Sequence, residues 1–339
     1  MNRTDTRKID SVKDELESLL KGNSRAEDFG RILRLPFQEP GKVFDEQPGF
    51  RWFLVPFWVC ESLGCSWEKA VPAAAAVELM ATAGDVFDDI QDKDNPSSSL
   101  ASLPPAESMN VGLTLIALAF RSISCSLELG LPADKVVRLS QFLSRFVSEG
   151  CEGQFQDYRL TATPGMDEDT YFRVIDKKSG SLMKYACSIG AQVATDDPEC
   201  IEQYAEFGRC LGIAFQIHND VAFLASPQSG KSDIRERKVT LPVVYGLSCI
   251  EGDRGDFLRR VYFGKEDISE IEEREVKEIL VAEGALFYAN VQEKMWRLRA
   301  LDHLKATPSS GVARQSLELL ALPEEYSRET GSSLSDEIS

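Results

Sequence analysis

The stretch "ELMATAGDVFDDIQDKDNP", residues 78 to 96, ends an apolar run by placing Asp85, Asp88, Asp89, Asp92 and Asp94 within ten residues. In a helix, Asp88 and Asp92 share one face a turn apart, with Asp89 beside them, and like charges so spaced repel. At a helix C-terminus the macrodipole adds to the cost. A solvated face would intersperse Lys or Arg, yet Lys93 is the only cation nearby in sequence. One reading is a charged helix end that opens into the following loop. The sharper one is a carboxylate cage for hard divalent cations, which take oxygen ligands.

Further clusters sit at the ends of other apolar stretches. "GIAFQIHNDVAFL" (212–224) runs into Asn219 and Asp220, and "GCEGQFQDYRL" (150–160) sets Gln154 and Asp157 at i, i+3. "YFRVIDKKSGSLMKYACSIGA" (171–191) carries Lys177 and Lys178, and "GKSDIRERKVTLPVVYG" (230–246) carries Lys231, Asp233 and Lys238. Singly, each is explained by surface or capping chemistry; Gln216 and Lys231 equally suit a helix cap or solvent. Together they make two metal-ligand clusters and several lysines, all at polar ends of apolar helices. With only two histidines, His218 and His303, the sequence argues against a histidine triad or multi-histidine metal site as the basis of the chemistry.

The elements that must position these groups are helical. Apolar periodicity places candidate helices near 66–93, 106–130, 133–160, 167–195, 199–225, 236–250, 268–305 and 310–321, and hairpin-bounded strand patterns are absent. "SVKDELESLLKG" reads as an amphipathic N-terminal helix closing on Gly22. Stretches such as "VPAAAAVELMATAG" are apolar around most of their circumference and belong inside a large all-α domain. The organisation expected is an amphipathic, partly ordered segment at 1–30, one helical domain at 31–323 and a disordered acidic tail at 324–339.

Bulk properties narrow the partners. The chain has 339 residues, 43% hydrophobic and 27% charged, with a formal charge of −17. That balance argues against nucleic acid or an anionic membrane as the main partner. The eight cysteines form no CxxC pair, which fits a reducing cytoplasm. No signal peptide is evident, and no uninterrupted apolar run reaches the length of a membrane span.

In this order and spacing, over roughly residues 50 to 325, the motifs resemble the trans-isoprenyl diphosphate synthase family, which has the isoprenoid-synthase fold. "DDIQD" (88–92) is similar to its DDxxD, "GQFQD" (153–157) to GQxxD, and "KSG" (178–180) with Leu182 to KTGxL. "FQIHND" (215–220) stands where the family has FQIxDDxxD, and "KVTLP" (238–242) where it has KxTLP. The resemblance implies a single-domain all-α helical bundle around a central apolar cavity, working as a homodimer. It implies three Mg²⁺ ions held by Asp88, Asp92 and the second cluster, Asn219 and Asp220, with Asp89 in the first motif. Lys178, Lys238, Lys231, Gln216, Gln154 and Asp157 would bind a prenyl diphosphate, with Lys177 an alternative to Lys178.

The sequence also departs from the family. Chain-elongating members carry a GKRxRP-like element and an Arg-Arg-Gly after DDxxD. Here "GFRWFLVPFWV" puts Phe53 and Val55 near the expected arginines, "KDNPSSSL" holds none, and the family's histidine positions are Ala81 and Phe87. Losing those bidentate clamps weakens the case for a second diphosphate site. Asn219 replaces the first aspartate of the second motif, and Phe223 the last.

The expectation is therefore a synthase-like (class IB) terpene synthase, cyclising or quenching the cation from one C15–C25 diphosphate. Alternatives are a prenyltransferase acting on a peptide or other acceptor, a divergent prenyl diphosphate synthase, and a non-catalytic partner subunit. Phe87, Phe155, Tyr158, Phe215 and Phe223 could line the cavity and stabilise cations, at about 2 kcal/mol each when desolvated; for each, core packing is the plain alternative. Small Ala83 and Gly84, a turn before Asp88, point to a longer substrate.

Overall fold

Asp92 closes a 22-residue helix and Lys178 stands on a break between two others, so helix boundaries decide where the candidate groups point. A computed structural model describes residues 3–21, 27–47, 49–92, 98–160, 162–225 and 232–322. Lys231, Gly22 and the tail from 323, together with the side chains of Asp92 and Phe223, lie outside the described residues. Among the described residues every regular element is a helix. In order these are α1 (Arg3–Lys21), α2 (Glu27–Arg34), α3 (Leu54–Ser62), α4 (Val71–Asp92), α5 (Pro105–Cys125), α6 (Ala133–Asp157) and α7 (Glu168–Ile175). There follow α8 (Ser181–Ala194), α9 (Pro198–Ala225), α10 (Leu241–Cys249), α11 (Gly252–Phe263), α12 (Glu270–Ala282), α13 (Ala285–Lys305) and α14 (Gly311–Ala321).

The residues gather into two compact units. The first comprises Met1–Phe146, Leu182–Gly208 and Leu301–Ser339; the second, Val147–Ser181 and Arg209–Ala300. These divisions fall inside helices, one of them just after the Ser-Gly-Ser run 179–181.

In the first unit, α4 is a core helix: Ala73 to Val77 and Leu79 are fully buried. The Phe87 ring fills a notch at Gly112 of α5, where an added Cβ would lie 2.7 Å from the ring. Gly190 of α8 meets α3 closely enough that a Cβ would sit 2.6 Å from Pro56 O. The buried Tyr185 ring stacks on Phe146 at 4.5 Å, and Tyr204 shares a 2.7 Å hydrogen bond with Ser62. On α1, Ile9, Val12, Leu16, Leu19 and Leu20 bury one stripe, and Lys8 reaches Glu61 of α3 at 2.5 Å. The helix therefore begins well before Ser11.

By length and composition, two stretches, Trp67–Gln91 and Pro105–Cys125, are apolar enough to cross a membrane. Counting uninterrupted apolar runs misses them. In the first of these, burial within the unit already explains the apolarity.

In the second unit, one cluster joins Leu224, Val243, Leu258, Val276 and Leu280, and another joins Tyr171, Ile213, Ile217, Leu241 and Ala289. Three expected helices differ here. The 167–195 stretch is interrupted by a π-helical turn at Asp176–Gly180. The 236–250 helix starts only at Leu241, behind an extended Thr240 and with Pro242 in its first turn. The 268–305 stretch divides at Gly284, whose φ of +80° a helix cannot hold. α11 is an addition that the sequence reading lacks.

Candidate active site

The candidate residues fall into two groups, one in each unit. In the first unit, Asp88 and Asp89 are half-buried near the C-terminal end of α4 and Asp85 is exposed. A cation does serve this helix end, but it comes from far away in sequence. Lys42, in the loop after α2, is 7% exposed and places its ammonium 2.5 Å from Asp85 Oδ2. Glu78, two turns earlier on the same helix face, fixes that loop by accepting 2.7 Å from the Val43 amide. Burial would depress the Lys42 ammonium, but Asp85 and Glu78 outweigh it and hold its pKa above the usual value. Burial pushes Glu78 up to about 7, against the opposing pull of Lys42 and the Val43 amide.

The first motif fits a divalent cation in donor chemistry, since Asp88 and Asp89 offer hard carboxylate oxygens. Among the described residues, no three acidic, cysteine or histidine side chains converge as a finished metal cage. Asp92, the i+4 partner of Asp88, has its side chain outside them.

The second unit assembles the lysine group. Lys178 projects from the π-helical turn, a wide form that recurs at functional sites. Its ammonium lies 2.6 Å from Asp157 Oδ2, so the KSG and GQFQD motifs meet as an ion pair. Lys177 turns instead to Glu152 at 2.5 Å. Two glycines admit the turn: a Cβ on Gly153 of α6 would lie 2.6 Å from the Lys177 and Lys178 backbone, and one on Gly212 of α9 would be 2.8 Å from Gly180 Cα. The start of the turn is tied by Asp176 to Arg209, 3.4 Å away, and the Arg209 guanidinium lies 5.6 Å from the Trp296 ring centroid.

From that turn a hydrogen-bonded chain leads to the second motif. Ser179 Oγ donates to Gln216 Oε1 at 2.6 Å, and Gln216 Nε2 donates to Asp220 Oδ1 at 2.9 Å. The other oxygen, Asp220 Oδ2, accepts from Tyr171 OH at 2.6 Å and from the Leu241 amide at 3.0 Å. Burial pushes the Asp220 carboxyl up to about 6, and the three donors pull against that rise. Asn219, its neighbour, is exposed.

Lys238 ends a tight turn in which its amide donates 2.8 Å to Asp233 O, and its ammonium lies 3.4 Å from Glu236 and 3.7 Å from Asp233. The preceding Arg237 has φ +53°, a strained value for a residue with a side chain. Its guanidinium holds the turn by donating to the carbonyls of Val261 and Glu266.

Several aromatic expectations change. Phe87 is occupied in the α4–α5 contact. Phe155 and Tyr158 are 57% and 52% exposed, and Phe155 lies under the Arg159 guanidinium at 4.5 Å, so neither is the wall of an enclosed cavity. Both stand on the last turn of α6 and the residue after it, where the helix leaves the core. Phe215 is half-buried beneath Arg297 at 5.2 Å. Phe53 and Val55 are fully buried, and Arg51 donates to the carbonyls of Asp45 and Gln47 at 3.0 and 2.7 Å. Ala83 is buried, whereas a Cβ on Gly84 would meet open space.

Sequence reasoning missed Lys42, Glu78, Tyr171 and Ser179 as members of these groups. "PGKVF" held a signal for Lys42, a Gly-Lys pair preceding the family-like region. Tyr171 gave none beyond being a hydroxyl at an apolar helix position, which requires a partner once buried.

A family model described as polyprenyl synthetase matches residues 51–280. The chain is 30% identical over 319 residues to a geranylgeranyl pyrophosphate synthase of Geoglobus acetivorans, covering 91% of this chain and 93% of that one. It is 30% identical over 267 residues to a geranylfarnesyl diphosphate synthase of Aeropyrum pernix, covering 76% and 82%. The solved structure of a geranylgeranyl pyrophosphate synthetase from Geoglobus acetivorans superposes with a TM-score of 0.77 at 28% identity, over 93% of this chain and 97% of that one.

Proposed function

Because the chain belongs to the polyprenyl synthetase family, we propose that it is a Mg²⁺-dependent trans-prenyl diphosphate synthase. It would extend an allylic diphosphate with isopentenyl diphosphate, release inorganic diphosphate and make a product of C20 to C25. This is chain elongation, the reading that sequence alone ranks below cyclisation. The observation that carries it is the match to synthases named for C20 and C25 products over 82–93% of their own lengths. Both of those relatives are named for diphosphate synthesis. The sequence argument against elongation also loses force, because Lys42 brings to the acidic end of α4 a cation that the linear pattern had hidden.

Members of this family use Mg²⁺. Asp88, Asp89 and Asp92 are the residues that would hold it here, and the metal would supply charge stabilisation to the departing diphosphate. Within the second unit, Lys178, oriented by Asp157, would present fixed positive charge to a substrate diphosphate, and Lys238 would do so from its strained turn. Gln154 lies one helical turn before Asp157 and joins that polar edge. Lys231 remains a candidate of the same kind. A homodimer is proposed on the family resemblance, with exposed Met109 and Leu113 on α5 offering an apolar surface for it.

The test is turnover with Mg²⁺ and C10, C15 or C20 allylic diphosphates, with and without isopentenyl diphosphate. Longer diphosphates formed only with isopentenyl diphosphate are the expected result. Hydrocarbon or alcohol from a single prenyl diphosphate would return the chain to the cyclase reading.

A further inference from the structure

Asp220 occupies a metal-ligand position of the second motif, yet its surroundings are those of a structural acceptor. The residue is 4% exposed. A carboxylate that coordinates a cation needs a lone pair directed at the ion. Here Oδ1 takes a hydrogen bond from Gln216, and Oδ2 takes two, from Tyr171 and the Leu241 amide. Leu241 is the first residue of α10, whose N-cap Thr240 makes no side-chain cap. Asp220 therefore satisfies an orphan amide of α10 from another helix, and its negative charge suits that end of the dipole.

We propose that Asp220 is a positioning residue and not a ligand to Mg²⁺: it holds both substrate-facing lysines in register. One arm runs from Oδ1 through Gln216 to Ser179, the residue after Lys178. The other runs from Oδ2 to the Leu241 amide, three residues after Lys238. Tyr171, on the helix that leads into the π-helical turn, closes the arrangement from the third side. The second motif thus keeps its aspartate for geometry. The substrate part of this inference rests on the synthase reading above; the metal part does not.

The experiment counts bound Mn²⁺, a paramagnetic stand-in for Mg²⁺, by electron paramagnetic resonance on the full chain with inorganic pyrophosphate. Wild type is compared with Asp220→Asn, Tyr171→Phe and Asp88→Asn, and calorimetry gives the pyrophosphate affinity of each. Asp220→Asn and Tyr171→Phe should keep the wild-type ion count while pyrophosphate binding weakens about tenfold, roughly 1.4 kcal/mol. Asp88→Asn should lose ions. In turnover, Tyr171→Phe should raise KM for the allylic diphosphate more than it lowers kcat, with half-saturation by Mg²⁺ unchanged. A lower ion count in Asp220→Asn overturns the assignment. So does wild-type pyrophosphate affinity in Tyr171→Phe, which leaves every carboxylate in place and guards against a misfolded Asp220 variant. The ion count and the pyrophosphate affinity stand even if no prenyl substrate turns over, so failure of the synthase reading is seen separately.

Discussion

Lys178 Nζ and Asp157 Oδ2 stand 2.6 Å apart, whereas the adjacent Lys177 pairs with Glu152. Two neighbouring lysines of similar appearance in sequence are thus assigned to different partners. Lys178→Ala should lower kcat/KM about 100-fold, or about 2.7 kcal/mol, and Lys177→Ala should stay within a few-fold of wild type. Steady-state kinetics on the two variants checks this; equal losses would show that the ion pair does not select the working lysine.

Removing charge from the end of α4 should separate stability from activity. Asp88→Asn relieves repulsion along the helix and with the dipole, for a gain of roughly 0.2–0.5 kcal/mol in metal-free protein. The same variant should lose at least about 100-fold in turnover. Thermal melting without Mg²⁺, beside an activity assay, tests both, and a lower melting temperature would contradict the repulsion argument.

Glu78 makes a pH prediction. Its folded pKa of about 7 lies above the ordinary 4.5, so folding takes up a proton between those values. The unfolded chain binds fewer protons in that window, and stability therefore falls as pH rises from about 4.5 to about 7. Glu78→Gln lacks this component. Urea midpoints at pH 5 and 8 should show a flatter dependence in the variant, by up to roughly 3 kcal/mol; parallel curves would reject the buried-carboxyl account.

Lys42→Met would leave Asp85 and Glu78 without their shared cation. A loss of about 1–2 kcal/mol is expected, because Glu78 stays buried without its cation while exposed Asp85 is screened by solvent. Denaturant unfolding measures it, and a loss below about 1 kcal/mol would place the pair among ordinary surface contacts.

Gly84 offers a test of product length. A Cβ there meets nothing within 4 Å, and the position is helical, so Gly84→Phe should fold without strain. If the open space before Asp88 receives the growing chain, the variant should stop at shorter products, read by chromatography of the dephosphorylated alcohols. An unchanged product distribution would move the length limit elsewhere.

Much of this was legible from sequence because the chemistry comes in short motifs at helix ends. Asp88–Asp92, Lys178, Asp157 and Lys238 each belong to such a motif, and the apolar periodicity announced the helices that carry them. What escaped notice depends on tertiary approach. Lys42 reaches Asp85 across 43 residues of chain, and Tyr171 reaches Asp220 across 49. The Asp220 side chain illustrates the limit: its motif suggests a metal, while only coordinates reveal three donors already upon it. The break at Asp176–Gly180 was equally hidden, since nothing in "DKKSG" forbids an ordinary α-helical turn.

That turn is, in effect, an insertion within a helix. Residues 168 to 180 run from α7 into the wide turn, which sets the rotational phase at its end back relative to an uninterrupted α-helix. Tyr171 and Lys178, seven residues apart, would fall nearly on one side of a regular helix; the extra width lets one approach Asp220 and the other Asp157. Phase errors of this kind are not repaired by side-chain adjustment. Excising one residue from 176–178 would turn Ser179 and Gly180, which meet Gln216 and Gly212, by roughly 100° against Tyr171. Length at this point is therefore under tighter constraint than composition: the segment tolerates a change of letters more readily than a change in their number.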